Sequence, residues 1–260
     1  MDFDRYAERI AYRGPRDATE DVLSALHLAH ATAIPFEDLD IHLGRGIDLA
    51  PESVFRKLVV DRRGGYCFEQ NGLFLAALRA IGFDVRPLAA RVLFGPAVPR
   101  PRTHMLLLVT VGGRRFLADV GFGTHNLLGA LPFEVGTPHE IHGERFRIVA
   151  AEGGQLDLEV ELDRWTTLYR FDLAEQLPID FEMASWFTST HPKSMFVTTR
   201  IVSRPEIGRR LVLIDDELRI RRGAAVETRA IRTVDEYREV LRDTFGIELP
   251  AGARLGPRET

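Results

Sequence analysis

Up to residue 82 the apolar positions keep helical spacing; from there to residue 171 they mostly alternate, the mark of strands. Phe3, Tyr6 and Ile10 fall on one face of a first helix over residues 3–12, which Gly14-Pro15 stops. Val22, Leu26, Ala29 and Ala33 line a second, opened by Asp17 and Glu20 spaced as a capping pair. On that helix His27 and His30 read as structural or surface residues. Pro35 ends it, and Pro51 suits the first turn of a short helix reaching Val60. Leu73, Ala77, Leu78 and Ile81 place another helix over 68–81, with Gly82 where a C-terminal cap belongs.

Beyond Gly82, Phe83, Val85, Leu88 and Val92–Phe94 predict strands, with Pro87 marking an edge or a bend. Met105–Val109 and Arg115–Ala118 predict two antiparallel strands joined at Gly112-Gly113. Residues 124–145 read as long, turn-rich loops. From 146 to 171, Leu156, Leu158, Val160 and Leu162, then Trp165, Thr167, Tyr169 and Phe171, hold period two and predict barrel strands with core aromatics. Ile179–Phe187 suits a short helix with Trp186 and Phe187 turned inward, and the hydroxyl-rich run from Thr188 to Ser194 reads as a loop. Short strands at Leu211–Ile214 and Leu218–Ile220 lead to Thr233 and Glu236, spaced as a capping box. A helix to Phe245 follows, Gly246 stops it, and the chain ends soon after Pro250.

A chain of 260 residues, 45% of them hydrophobic, can bury a real core and form two or three compact lobes. The change of period sets the first boundary near residue 85. A net charge of −4 argues against nucleic acid as the main partner. The single cysteine rules out a disulfide framework and suits a reducing compartment. No basic-plus-apolar leader is visible and no apolar run reaches ~18 residues, so a soluble, cytoplasmic protein without membrane partners is expected. Oligomeric state stays open.

That cysteine stands in Arg63-Gly64-Gly65-Tyr66-Cys67-Phe68-Glu69-Gln70-Asn71, at the head of the helix over 68–81. A lone cysteine is more often a small core residue than a nucleophile. This one falls in a first helical turn, where unpaired N–H groups and the helix dipole favour negative charge. The two glycines permit a sharp turn and a close approach by substrate. The predicted hairpin brings His104, at the start of one strand, and Asp119, at the end of the other, to the same end. A nucleophile, a base and a carboxylate to orient the base make a Cys-His-Asp arrangement. Arg63 suits a solvated charge run with Asp61 and Arg62, or a buried ion pair with Glu37 or Glu69. Gly95–Arg102, with three prolines beside His104, reads equally as a stiff connector and as a lip over the site. His125, His139 and His142 raise zinc as a rival, but no CxxC or HExxH spacing accompanies them, so no metal is expected.

Five segments resemble arylamine N-acetyltransferases: Ile34–Leu39, Arg63–Asn71, Thr103–Val109, Asp119–Gly123 and Phe187–Pro192. They keep the family's order and reach to about residue 200. The resemblance implies an α+β fold with a papain-like Cys-His-Asp core. A helical domain over 1–85 would carry the nucleophile, a β-barrel-like domain over 86–190 the histidine and the acid, and 191–260 would form an α/β lid, abbreviated because the family often extends further. It implies Cys67 as nucleophile, His104 as base and Asp119 as orienting acid. Phe36, Phe68, Phe122, Val98 and Thr103 would bind the acceptor substrate. Thr188, Ser189, Thr190 and His191 would line a nucleotide or pantetheine channel. The implied reaction moves an acetyl group from acetyl-CoA, a substrate rather than a tightly bound cofactor, to an arylamine or arylhydrazine through an acyl-cysteine. An amide synthase releasing a polyketide as a macrolactam, and a transglutaminase-like cysteine hydrolase, could use the same triad. A CoA-binding protein with a dead site is the non-enzymatic alternative, against which the intact triad argues.

Overall fold

A computed structural model describes residues 1–249, 252, 253 and 255. Pro250, where the chain was expected to run out, and residues 251, 254 and 256–260 of the expected lid lie outside the described residues.

Helix α1 (Phe3–Arg9) is shorter than its apolar period suggests, because Ala11 turns left-handed at φ 54°. Helix α2 (Glu20–Ala33) is capped by Thr19, whose hydroxyl accepts from the Val22 N–H at 3.4 Å. Asp17 lies too early to reach the first turn. The buried stripe of α2 is Val22, Leu23, Leu26, His27, His30 and Ala31, so both histidines are interior, while Ala29 and Ala33 are half-buried. The polar ring of His30 is tolerated there because the Tyr6 hydroxyl and the Gln70 amide oxygen meet its two nitrogens at 2.8 and 2.7 Å.

A two-residue strand β1 (Phe36–Glu37), a short helix α3 (Leu39–His42) and α4 (Pro51–Phe55) follow, α4 passing into a π-helical turn over Arg56–Val60. Helix α5 (Cys67–Ala80) closes the helical part, and Gly82 ends it at φ 90°.

Eight strands come next: β2 (Asp84–Val92), β3 (His104–Val111), β4 (Arg114–Ala118), β5 (Leu131–Pro132), β6 (Pro138–Ile141), β7 (Glu144–Ala150), β8 (Leu156–Glu161) and β9 (Trp165–Phe171). They pair antiparallel in the order β5-β4-β3-β2-β9-β8-β7-β6, and edge strands β5 and β6 meet, so the sheet nearly closes into a barrel. Pro87 lies in the half of β2 that β9 does not reach, where its missing N–H costs no ladder bond. Strands β5 and β6 fall where loops were expected. Neither has a buried alternating face to betray it, and β6 is held by its ladder to β7 alone. A bulge beside Leu158 leaves Leu168 as the extra residue of β9. Leu168 and Tyr169 are therefore both buried, while Trp165 and Thr167 are half-buried and Leu162 is exposed. Trp165 is covered by the Arg147 guanidinium, 4.2 Å from its ring, rather than by the core.

The last part contains α6 (Pro178–Thr190), α7 (Met195–Thr198), β10 (Ile201–Glu206), β11 (Arg209–Ile214), β12 (Glu217–Arg222), β13 (Ala225–Ala230) and α8 (Val234–Glu239), which runs into a π-helical turn over Val240–Thr244. Helix α6 extends through the expected loop to Thr190. Its inner side is taken by Phe181, Ser185 and Thr188, which leaves Trp186 68% exposed and Phe187 half-buried. The sheet order is β1-β10-β11-β12-β13, so Phe36 and Glu37 supply an edge strand to a sheet built otherwise from residues beyond 200. Pro205 masks β10 in the sequence, and β13 shows none of its residues buried, so neither announces itself by pattern. Thr233 caps α8 by accepting from the Glu236 N–H at 3.1 Å, but the Glu236 carboxylate accepts from Arg232, one residue outside the box.

Strand β3 is buried on both faces. Met105, Leu107 and Val109 join the helical core around α2 and α5; Leu106 and Leu108 join the barrel core with Phe146, Tyr169 and Phe171. Such a strand reads as a continuous apolar run instead of an alternation. Its first residue, His104, therefore emerges at the seam between the two cores. A third core, around Leu211, Tyr237 and Phe245, sits under the C-terminal sheet. Among the described residues no helix is long and apolar enough to cross a membrane, and no group of three or more His, Cys, Asp or Glu side chains could hold a metal ion.

Candidate active site

Cys67 is the first residue of α5 and is 5% exposed. The turn that delivers it is closely packed. A Cβ on Gly64 would stand 2.2 Å from the Pro35 carbonyl oxygen, and one on Gly65 would stand 2.7 Å from the Glu69 carboxylate, so only glycine fits at either. Arg63 grips Glu37 through two bonds of 2.8 and 2.9 Å and reaches Asp40 at 3.2 Å. Of the two partners open to Arg63, it takes Glu37; Glu69 pairs with Lys57 at 2.7 Å and accepts from the Tyr66 N–H at 3.1 Å. Lys57 also meets Asp40 at 2.9 Å. Arg63, Glu37, Asp40 and Glu69 are buried and Lys57 is half-buried, and each is paired, the condition under which buried charge is tolerated.

His104 and Asp119 lie just past the hairpin ladder, which ends at Leu107 and Ala118, and meet there with His104 Nε2 2.7 Å from Asp119 Oδ2. The other oxygen, Oδ1, accepts from Asn71 Nδ2 at 2.9 Å and from the Gly121 N–H at 3.0 Å. Asn71 also donates to the Met105 carbonyl at 2.7 Å and accepts from the Val120 N–H at 3.1 Å. The N–H of Asp119 itself donates to His27 Nε2 at 3.1 Å. Asn71 lies one helical turn after Cys67, so a single helix carries both the sulfur and the amide that orients the carboxylate. The loop after Asp119 comes so close that a Cβ on Gly121 would stand 2.9 Å from the Cys67 Cα. With Nε2 engaged, Nδ1 is the imidazole nitrogen left for the Cys67 sulfur.

Burial works against a charge on His104, but the Asp119 carboxylate, by charge and by hydrogen bond, and then the Cys67 sulfur outweigh it and hold its pKa at about 10. Burial pushes Asp119 up, yet the His104 charge and the bonds from His104, Asn71 and Gly121 hold it below the ordinary carboxylate value. His27 goes the other way: burial, only partly opposed by Asp119, lowers it to about 4, so it stays a neutral acceptor. The sign for stability follows. A histidine raised from 6.5 to about 10 contributes stability that is complete below pH 6.5 and is lost as pH rises towards 10. His27 and His30, lowered to about 4 and about 3, act below 6.5 instead. The unfolding midpoint of the wild type should therefore fall between pH 6.5 and 10 more steeply than that of His104→Gln; parallel curves would show that His104 is not held as an imidazolium.

Around this line lie the other residues singled out in the sequence. Phe68 joins Ala89, Phe181 and Ala184 as apolar wall of a cavity that opens beside His104; Arg102, Gln176 and Asp180 add polar groups to it. Phe122 stands edge-on to His104 at 5.2 Å, and Tyr169 covers the imidazole at 4.9 Å. The Thr103 carbonyl lies 3.6 Å from the Cys67 sulfur. Phe36 packs under Gly123 and 6.1 Å from Phe196. Val98 does not line the cavity and is 55% exposed. The loop that carries it is fastened by Arg100 to the Phe94 and Pro96 carbonyls and by Arg102 to Asp172 at 2.5 Å. The hydroxyls of Thr188, Ser189 and Thr190 bond back to the α6 carbonyls of Ala184, Ser185 and Trp186 at 2.7, 2.8 and 2.6 Å, and His191 stacks on Phe187 at 4.4 Å. His27, Asn71 and Tyr169 join the site without having been marked for it. For His27 the available signal was its place on one stripe with Leu23 and His30.

Known proteins of similar sequence and fold point to one family. A family model described as N-acetyltransferase matches residues 19–254. The arylamine N-acetyltransferase of Mycobacterium tuberculosis is 38% identical over 266 residues, covering 100% of this chain and 94% of that protein. That of Escherichia coli is 39% identical over 251 residues, covering 93% and 87%. Among solved structures, Mycobacterium marinum arylamine N-acetyltransferase superposes with a TM-score of 0.90 at 39% identity, covering 95% of this chain and 93% of that one. The Salmonella typhimurium enzyme gives 0.91 at 36% identity, with 97% and 93% covered. Matched over nearly its whole length in sequence and in fold, the chain belongs to the arylamine N-acetyltransferase family.

Proposed function

We propose that this protein transfers an acetyl group from acetyl-CoA to an arylamine or arylhydrazine in two steps through an acetylated Cys67. The observation that carries the reading is the line of sulfur, imidazole and carboxylate, with His104 bonded to Asp119 at 2.7 Å and Cys67 at the head of α5. A Mycobacterium marinum relative has been solved in complex with CoA, which supports the donor. In the first step the Cys67 sulfur attacks the thioester carbonyl. The oxyanion is met by the Cys67 N–H, one of the first-turn amides that a helix leaves without a carbonyl partner. The C–S bond to CoA breaks, and the His104 imidazolium gives the departing sulfur its proton. Acetylation removes the sulfur's share in holding that proton, so His104 becomes the base for the second step. The amine attacks the acetyl-cysteine, the imidazole takes its proton, and Cys67 is released.

Phe68, Phe181, Ala184 and Ala89 give the acceptor side apolar walls. A charged aliphatic amine would lose its hydration there, whereas a neutral arylamine would not. Relatives named as arylamine N-acetyltransferases over nearly the whole chain favour this reading over the amide synthase and the hydrolase. The reaction belongs in the cytoplasm, where a reducing milieu keeps an unpaired thiol free. Incubation with acetyl-CoA and weighing of the intact protein tests the scheme. One acetyl adduct on Cys67 is expected, discharged by aniline-type amines and hydrazines and hardly by lysine or polyamines. Absence of the adduct, release of acetate without an amine, or equal discharge by both classes of amine would refute it.

A further inference from the structure

The side-chain supports of the triad come from the helical part of the chain: Asn71 on α5 and His27 on α2 hold Asp119, beside the Gly121 N–H of its own loop. The supports of Phe122, three residues further on, come from elsewhere. The Phe122 N–H donates to Asn126 Oδ1 at 2.9 Å, and the Asn126 carbonyl accepts from Arg210 Nη1 at 2.7 Å. Arg210 lies on β11 of the C-terminal sheet, 5% exposed. Its Nε and Nη2 bind both oxygens of Glu144, on β7 of the barrel, and Arg221 Nη2 reaches the same carboxylate at 2.7 Å. Arg210 and Arg221 are direct cross-strand partners on β11 and β12, a juxtaposition of like charges that is unfavourable unless an anion is set between them. Glu144 is that anion.

The ion cluster alone would be a fastening between barrel and sheet. The third arm of Arg210 goes further, because it holds the backbone of the one residue whose side chain fixes the Phe122 amide. We infer that Arg210 is a positioning residue for the acceptor: through Asn126 it sets Phe122, which is not a wall of the Phe68–Phe181 cavity but stands edge-on to His104 at 5.2 Å, and whose ring would meet an arylamine that reaches that histidine. This rests on the arylamine acetyltransfer scheme above. It means that the two half-reactions share the loop over 119–123, where the Gly121 N–H also holds Asp119, but differ in the side chains that fix it. Acetylation of Cys67 depends on Asn71 and His27; acceptance by the amine depends also on a residue of the C-terminal sheet.

Pre-steady-state acetylation by acetyl-CoA and steady-state turnover with an aniline-type acceptor separate the two. In Arg210→Met the acetylation rate should stay within about threefold of wild type, while the KM for the arylamine rises roughly tenfold or more, as expected for loss of a charged hydrogen bond. Glu144→Gln weakens the fastening but leaves the third arm in place, so it should lower the unfolding midpoint with little change in that KM. Asn126→Ala breaks the relay at its other end and should reproduce the KM rise; it carries the test by itself if Arg210→Met does not fold. Parallel loss of both half-reactions in Arg210→Met or Asn126→Ala, or a KM rise in Glu144→Gln equal to that in Arg210→Met, would reduce Arg210 to a fastening and overturn the inference. Failure of the wild type to form acetyl-Cys67 would instead refute the scheme on which it rests.

Discussion

Replacing Cys67 by alanine should abolish acetyl transfer while the protein folds as before. Cys67 is the chain's only thiol, and no second nucleophile of its kind can take over. Its removal takes little from the fold. The side chain is small, the sulfur lies 3.6 Å from the Thr103 carbonyl and beside the His104 imidazole, and the helix that bears it is anchored by Leu73, Phe74, Ala77 and Leu78. Loss of one buried sulfur from such a setting costs on the order of 1 kcal/mol, well inside the ordinary stability of a domain. The charges behind the turn, Arg63 with Glu37 and Lys57 with Glu69, are untouched by the change. The measurement is CoA release with an aniline-type acceptor, alongside circular dichroism and the unfolding midpoint. A folded Cys67→Ala protein that still transfers acetyl at more than a trace would end the covalent mechanism.

Asp119→Asn should lower the rate by roughly 10²–10⁴, the range expected when such a triad loses its orienting acid. The hydrogen-bond pattern shows why an isosteric amide fails. Both oxygens of Asp119 are acceptors: Oδ2 for His104, Oδ1 for Asn71 and Gly121 together. An amide has only one acceptor oxygen. If that oxygen stays with Asn71 and Gly121, the NH2 group faces His104, Nε2 must accept, and the ring proton is forced to Nδ1. The histidine then loses the charge that makes it an imidazolium. If the amide flips, His104 keeps its partner but two donors face the NH2 group, a loss of about 1–3 kcal/mol in a buried site. Single-turnover acetylation measured by quenched intact mass would read the effect directly. A rate within tenfold of wild type would remove Asp119 from the mechanism.

The helix under Cys67 and the hairpin ahead of Asp119 were legible because each rests on a local rule, a 3.6-residue stripe and a Gly-Gly turn between apolar runs; the α+β architecture came from the resemblance of five segments to one family. The hairpin brings His104 and Asp119 to one end, but its ladder stops at Leu107 and Ala118, and Asn71, His27 and Gly121 complete the approach. What stayed hidden depends on distant partners. Strand β13 has no buried face, and β6 exists only because β7 lies beside it. Thr188, Ser189 and Thr190 look like a loop, since hydroxyl residues favour turns, yet each satisfies its hydroxyl on a carbonyl one turn back and so continues α6. His27 looked incidental because its partner, the Asp119 amide, is a backbone group that no pattern of side chains reveals. Arg210 was equally silent; in sequence it is one arginine among many on a strand rich in them.

Strand β3 gives one set of side chains to the helices and the other to the barrel. The party wall so formed has an evolutionary corollary. A lineage cannot exchange its helical part for another's as a ready-made module, because Met105, Leu107 and Val109 would then face a stranger's helices. Change on one side of the wall must be answered on the other, and His104, mounted at its end, would register every mismatch. Variation among such chains should therefore gather in the β13 rim and the exposed side of α6, where no second tenant depends on it.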